Sequence, residues 1–226
     1  MNIIVFDLGG TLMEFVGMPP TWIDYYRQGF QSIAKSLGGN ISDEDIDLSV
    51  EIMKNYNPRV NYREIEYSPE FIFEKALKHW VKGIKLEKAI KIFFDGLNLN
   101  TIIYNDTIDM LKCLKENGYI ICALTDIPSA MPDAYFKSTI ENLLPYIDFY
   151  VSSQSCGYRK PNTHGIQLIA DKYTTDIKNL IFVGDEEKDK ILAEKVGCSF
   201  YLIDRKNKNS AADIHNMSEL KFILKL

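Results

Sequence analysis

Cysteine and histidine are scarce in this chain, with four and three among 226 residues. Cys113, Cys122, Cys156 and Cys198 form no C-x-x-C pair and no cluster with histidine, which excludes a zinc site of the usual spacing. His79, His164 and His215 show no ligand spacing either. A disulfide framework is not needed, because 226 residues suffice for a hydrophobic core. Cys113 and Cys122 lie in apolar segments and read as small core residues. Long apolar runs are also missing. Ile3-Ile4-Val5-Phe6 meets Asp7 after four residues, without the basic start and longer stretch of a signal peptide, and no run approaches membrane-spanning length. Positive charge is not in excess: a net charge of -5 argues against nonspecific nucleic-acid binding. It does not oppose a small phosphorylated ligand, for which a few local cations suffice. The expected setting is the reducing cytoplasm, with no membrane or nucleic-acid partner; oligomeric state stays open.

What is present is ordinary globular composition, 46% hydrophobic and 25% charged, arranged in a telling order. Ile3 to Phe6 is a short β-branched run of the kind buried on both faces of a sheet. It stops at Asp7-Leu8-Gly9-Gly10-Thr11, where the glycines permit a tight turn. Further strands are expected at 119–124, 149–151, 180–183 and 200–203. Helical patterns fall between them, at 107–117, 132–144, 163–173 and 187–196, with a closing helix at 218–224. Strands alternating with helices indicate right-handed βαβ units and an α/β fold, a doubly wound, Rossmann-like parallel sheet.

Residues 15–99 break the alternation. They offer helices at 22–37, 43–55, 69–81 and 86–94 and no clear buried strand, which predicts an all-helical cap domain inserted into a core of residues 1–14 and 100–226. Trp22, Tyr25, Tyr26, Tyr56, Tyr62 and Tyr67 read mainly as cap core. The more polar segment from Tyr56 to Arg63 is a candidate for facing a substrate. Lys206 to Ser210 reads as a solvated loop.

Ligands of open parallel sheets gather beyond the carboxyl ends of the strands. There the sequence places Asp7, then Thr125 and Asp126, then Lys160 in the loop after the third strand, then Asp185 with Asp189 four residues on. Clustered carboxylates repel one another unless a cation sits among them. A hard ion with oxygen ligands, Mg²⁺ above all, resolves that conflict and also neutralises a phosphate. The Thr125 hydroxyl can donate to a phosphoryl oxygen, and the Lys160 ammonium can pair with both phosphate and Asp7. Asp7 is the candidate nucleophile, giving an aspartyl-phosphate that water hydrolyses.

Phe6-Asp7-Leu8-Gly9-Gly10-Thr11-Leu12, Ala123-Leu124-Thr125, Gly157-Tyr158-Arg159-Lys160-Pro161 and Val183-Gly184-Asp185-Glu186-Glu187-Lys188-Asp189 resemble, in order, four motifs of the haloacid dehalogenase (HAD) superfamily of hydrolases. The likeness is to the subgroup with a helical cap after the first motif, and it spans nearly the whole chain. It implies Asp7 as nucleophile, Thr125 and Lys160 as phosphate ligands, and Asp185 and Asp189 as metal-side acids. Gly10 and Asp126 join the candidate substrate-binding residues. By the same resemblance the backbone carbonyl of Gly9 is a further metal ligand. The implied activity is Mg²⁺-dependent hydrolysis of a small phosphorylated metabolite.

The pattern departs from the family at Gly9, where family phosphatases usually carry a second aspartate as general acid and base. Such catalysis is worth roughly 10²–10⁴-fold, about 3–5 kcal/mol at ~1.4 kcal/mol per tenfold. Its loss weighs most on alkyl phosphates and least on acyl and aryl phosphates. Asp126 is a candidate to supply the missing proton, and Glu14 a weaker one. The alternatives are a phosphate-ligand sensor with little turnover, a carbon–halogen hydrolase, which has no need of the metal-side acids, and a carbon–phosphorus hydrolase. Relatives of the last kind use a cap lysine, for which Lys35, Lys54 and the other cap lysines give no specific match.

Overall fold

The computed structural model describes residues 2–17, 21–80, 83–206 and 208–226. Its elements run β1 (Ile3–Phe6), β2 (Met13–Phe15), then four helices, α1 (Ile23–Ser36), α2 (Asp43–Asn55), α3 (Pro69–Leu77) and α4 (Leu86–Gly96). There follow β3 (Thr101–Ile103), α5 (Thr107–Glu116), β4 (Ile120–Thr125), α6 (Asp133–Thr139), β5 (Phe149–Ser152), α7 (Ser153–Cys156) and α8 (His164–Lys172). The chain ends with β6 (Leu180–Gly184), α9 (Glu187–Val196), β7 (Ser199–Leu202) and α10 (Met217–Ile223).

The main sheet has the order β5-β4-β1-β6-β7, and every neighbouring pair in it is parallel. β1 is central and wholly buried, as its unbroken apolar run requires. Because strand side chains alternate, β1 feeds two cores. Ile4 and Phe6 join Met110, Leu111 and Leu114 of α5 and Leu220 of α10 on one face. Ile3 and Val5 join Ile166 and Ile169 of α8 and Leu192 of α9 on the other. The doubly wound α/β fold is therefore present, with the ends of β1, β4 and β6 on one rim.

The four helices between β2 and β3 pack around aromatic rings. Phe30 lies edge-on to Phe93 at 5.1 Å and also meets Phe73 and Trp80. A Cβ at Gly29 would fall 2.4 Å from the Phe93 ring, so this approach of α1 to α4 needs glycine. Ser42 and Ser68 cap α2 and α3 by accepting from the backbone N–H groups of Asp45 and Phe71. The chain leaves for these helices through β2 and returns through β3, and the two pair antiparallel, Met13 opposite Ile103 and Phe15 opposite Thr101. This two-stranded ribbon was not anticipated, because three residues of mixed polarity carry no readable alternation.

Several boundaries differ from expectation. The helix expected over 69–81 ends at Leu77, and Val81 lies outside the described residues. The helix expected over 132–144 stops at Thr139 and resumes as a 3-10 turn, Leu144–Tyr146, with Pro145 in its first turn. Proline has no N–H to donate, which suits Pro145 to the first turn of that 3-10 segment and keeps an α-helix from running through it. Tyr62 is 71% exposed and does not belong to the core expected for the aromatics of this region. In the loop from 206 to 210, Asn207 lies outside the described residues; the Asp204 carboxylate accepts from the N–H groups of Lys206, Lys208 and Asn209. Among the described residues no helix is long and apolar enough to cross a membrane.

Candidate active site

Asp7 follows β1 directly, Thr125 ends β4, Asp185 follows β6, and Asp189 stands in the first turn of α9. Lys160 enters from the loop after α7. Its Nζ lies 2.8 Å from Asp7 Oδ1, 2.7 Å from Asp189 Oδ1 and 3.3 Å from the Leu124 carbonyl. The Leu124 carbonyl accepts a hydrogen bond from this ammonium, and the two carboxylates hold it as ion pairs. The whole group is nearly dry: Asp7 is 6% exposed, Lys160 4% and Asp189 0%. Asp189 is also held from its other oxygen, which accepts the Glu186 N–H at 3.1 Å in a reciprocal helix cap.

The charges do not balance within this cluster. Burial alone would strip the proton from Lys160, but the carboxylates of Asp189, Asp7 and Asp126 hold it as an ammonium, with its pKa above the usual lysine range. Asp185 is pushed up to about 8, first by burial and then by the charges of Asp7 and Asp189. Asp189 is pushed up to about 6 by burial and by Asp7, against the opposing pull of Lys160. One ligand oxygen from each of Asp7, Asp185 and Asp189 lies within 4.8 Å of the others. Three carboxylates and one ammonium leave an excess of negative charge, and an all-oxygen donor set suits a hard divalent cation. The residues present therefore fit Mg²⁺.

Backbone geometry keeps the site small. Gly10 has φ of 79°, a left-handed conformation, and a Cβ there would sit 2.1 Å from Asp185 Oδ2. The Gly10 N–H, however, donates to the Met13 carbonyl at 2.8 Å. Its part in the site is thus to let Asp185 approach, and that N–H is already committed. Gly9 is exposed, and nothing lies within 4 Å of where its Cβ would be. Thr125 is buried at the strand end, opposite Ser152 of β5.

Both carboxylate oxygens of Asp126 have partners. One carboxylate oxygen accepts the Lys160 backbone N–H at 3.0 Å. The other lies 3.1 Å from Lys188 Nζ and 3.9 Å from Arg159. Burial opposes ionisation of Asp126, but Lys188, Arg159 and Lys160 together hold it below the usual carboxylate range. A carboxyl kept charged and fully engaged is a poor general acid. Glu14 accepts from the Tyr104 hydroxyl at 3.2 Å.

The sequence assigns no role to Lys188, Arg159 or Glu66, and marks Arg59 and Arg63 only as part of the segment expected to face a substrate. Lys188 bridges Asp126 and Glu186, and Arg59, from the helical insertion, reaches the same Glu186 across the rim. Arg63 turns inward to the Tyr56 carbonyl, Ser129 and Glu66 instead of facing a ligand. Arg159 pairs with Glu66 of the insertion. Lys188 was within reach of inspection, being an acid-flanked lysine inside the fourth motif. Glu66 gave no signal, since nothing in its flanking sequence marks a glutamate for burial.

Residues 1–197 match the family model described as a hydrolase, haloacid dehalogenase-like hydrolase. The chain is 23% identical over 206 residues to phosphoglycolate phosphatase of Aliivibrio fischeri, covering 90% of this chain and 84% of that protein. A phosphoglycolate phosphatase of Haemophilus influenzae is 26% identical over 110 residues, 47% of this chain and 48% of that one. Two solved structures share the fold: a HAD phosphatase from Thermococcus onnurineus, at TM-score 0.66 and 20% identity over 99% of this chain and 98% of that one, and a 2-haloacid dehalogenase from Pseudomonas syringae pv. Tomato, at TM-score 0.69 and 17% identity over 100% and 98%. With the family model covering most of its length, the chain belongs to the haloacid dehalogenase-like hydrolases.

Proposed function

We propose that the protein is a Mg²⁺-dependent phosphatase that hydrolyses a small phosphorylated metabolite through an aspartyl-phosphate on Asp7. The observation that carries this reading is the buried meeting of Asp7 with Lys160 at 2.8 Å, beside Asp185 and Asp189. The relatives named phosphoglycolate phosphatase support a phosphorylated small molecule as the substrate class.

In this reading an Asp7 carboxylate oxygen attacks phosphorus, and the bond from phosphorus to the leaving oxygen breaks, the oxygen keeping the electron pair. Water then attacks the same phosphorus, the bond to Asp7 breaks, and inorganic phosphate and a proton leave. Lys160 orients Asp7 and offsets its charge, so that an anionic phosphate is not repelled. Asp189, engaged on both oxygens, fixes Lys160 in turn. The Thr125 hydroxyl donates to a phosphoryl oxygen. Asp7, Asp185, Asp189 and the Gly9 carbonyl would hold Mg²⁺, which when bound would supply positive charge to neutralise the phosphate. Helices α1–α4 act as a cap that excludes water and selects the substrate.

With glycine at position 9 and Asp126 engaged by Lys188 and the Lys160 N–H, the leaving group is protonated by solvent or not at all. Acyl and aryl phosphates are therefore the better substrates. Gly9 also supports a second reading, a phosphate-ligand sensor with little turnover. Assays of aryl, acyl and alkyl phosphates with and without Mg²⁺, repeated on Asp7→Asn, test both. Metal-dependent turnover lost in Asp7→Asn is the expected result; binding without turnover on all three classes is the sensor's.

A further inference from the structure

The insertion touches the core rim in two very different ways. At Arg59 and Glu186 the contact is loose, with the Arg59 side chain 66% exposed, and exposed pairs of this kind hold little. At residues 64–67 the contact is built in. The Arg159 N–H donates to the Glu64 carbonyl at 2.8 Å and the Glu66 N–H to the Gly157 carbonyl at 2.9 Å. These bonds flank an antiparallel bridge between Ile65 and Tyr158. Gln154 adds a bond to the Tyr67 carbonyl at 2.8 Å, and Asn162 one to the Glu64 carboxylate at 3.2 Å. The segment 64–67 is thus joined by one antiparallel bridge to the loop that leads into Lys160.

A buried ion cluster reinforces that bridge. The Glu66 side chain is 1% exposed and pairs with Arg63 at 2.9 Å and with Arg159. Arg159, 5% exposed, also donates to the Ile127 carbonyl at 3.1 Å and lies 3.9 Å from Asp126. Asp126 in turn accepts the Lys160 N–H. From Glu66 the contacts therefore run through Arg159 to both loops that flank Lys160, those after β4 and after α7. Removing one partner of a buried ion pair leaves the other uncompensated, so each of these contacts depends on its neighbours.

We propose that Glu66 is a positioning residue contributed by the insertion, setting Lys160 through Arg159, and that the 64–67 strap stays attached to the core through turnover while the rim at Arg59 and Glu186 opens. This rests on the phosphatase reading only for its kinetic consequences.

Three measurements test it. Glu66→Gln keeps the side-chain length and removes the charge; kcat on an aryl phosphate is expected to fall ~10–100-fold, the scale of a small misplacement in an active site, with KM within ~3-fold of wild type. Unchanged kcat overturns the proposal. Ile65→Cys with Tyr158→Cys, in a Cys156→Ser background, places two thiols at a non-hydrogen-bonded antiparallel pair, where Cα atoms lie close enough for a disulfide. Oxidation of this variant is expected to leave kcat within ~3-fold of the reduced form; loss on oxidation that reduction restores overturns the proposal. Hydrogen exchange at residues 157–162, read without substrate, is expected to quicken in Glu66→Gln, and unchanged exchange also counts against it. A wild type without Asp7-dependent turnover but with Glu66-dependent exchange rejects the phosphatase reading and leaves the strap standing. An active wild type with an unaffected Glu66→Gln does the reverse.

Discussion

Asp185 packs against Gly10 so closely that a Cβ on Gly10 would lie 2.1 Å from Asp185 Oδ2. A carboxylate of the acidic cluster and the turn after Asp7 are thus fitted to each other, and Gly10 in that turn has φ of 79°. Gly10→Ala should displace Asp185 and strain the backbone, by about 1 kcal/mol or more for the left-handed conformation alone. The expected outcome is at least ~10-fold weaker Mg²⁺ binding by calorimetry, equivalent to ~1.4 kcal/mol. Binding within ~2-fold of wild type would show that Asp185 does not depend on this approach.

Protons and metal should compete for the same carboxylates. With Asp185 pushed up to about 8 and Asp189 to about 6, the metal-free native protein holds protons that the unfolded chain releases near the ordinary aspartate value. Stability contributed by these groups is therefore present at low pH and lost as pH rises through the folded values. Thermal melting without metal should fall between about pH 5.5 and pH 8.5, and Mg²⁺ should flatten the decline while binding more tightly at the higher pH. A metal-free profile that rises over this range would contradict the assigned crowding.

Gly9 has open space around its Cβ position, so Gly9→Asp should fold without strain. Restoring a carboxyl there should raise alkyl phosphate hydrolysis, by up to the ~10²-fold low end of general acid catalysis, and acyl phosphate hydrolysis much less. Equal gains on both classes, measured as kcat/KM, would show that leaving-group protonation is not what Gly9 removed.

Arg205 clamps the segments that lead into and out of the insertion. Its guanidinium donates to the Thr11 carbonyl at 3.0 and 2.8 Å and to both Asp106 oxygens at 2.8 Å, and lies 4.4 Å from the Tyr104 ring centroid. Arg205→Ala should cost about 1.5–3 kcal/mol, the range for hydrogen bonds to charged groups. At this chain length that lowers Tm by roughly 5–10 °C. A change under ~1 °C would show that these Arg205 contacts do not stabilise the fold.

Much of the fold was legible because its signals are local. The unbroken apolar run of β1 marked a doubly covered strand, and the order of strands and helices fixed the parallel sheet. Asp7, Lys160, Asp185 and Asp189 were found as candidates because strand ends are where such a sheet gathers ligands, and the structure brings all four together. What escaped depends on contacts between distant segments. Asp126 looked available for proton transfer, yet its partners Lys188 and Arg159 lie 62 and 33 residues along the chain. Gly10 was a candidate substrate-binding residue, and the bond from its N–H to the Met13 carbonyl joins residues whose pairing no local pattern announces. Glu66 and Arg159 were invisible because a lone charge in sequence reads as solvated, and only the folded contact shows it buried.

In the proposed reaction Asp7 carries the phosphoryl group. The most direct measurement is rapid acid quench of the enzyme turning over a radiolabelled acyl phosphate with Mg²⁺, followed by peptide mapping. The account predicts label on the peptide containing Asp7, at the position of Asp7, absent without Mg²⁺ and absent in Asp7→Asn. Turnover that continues in Asp7→Asn, or label that maps to another residue, would contradict it.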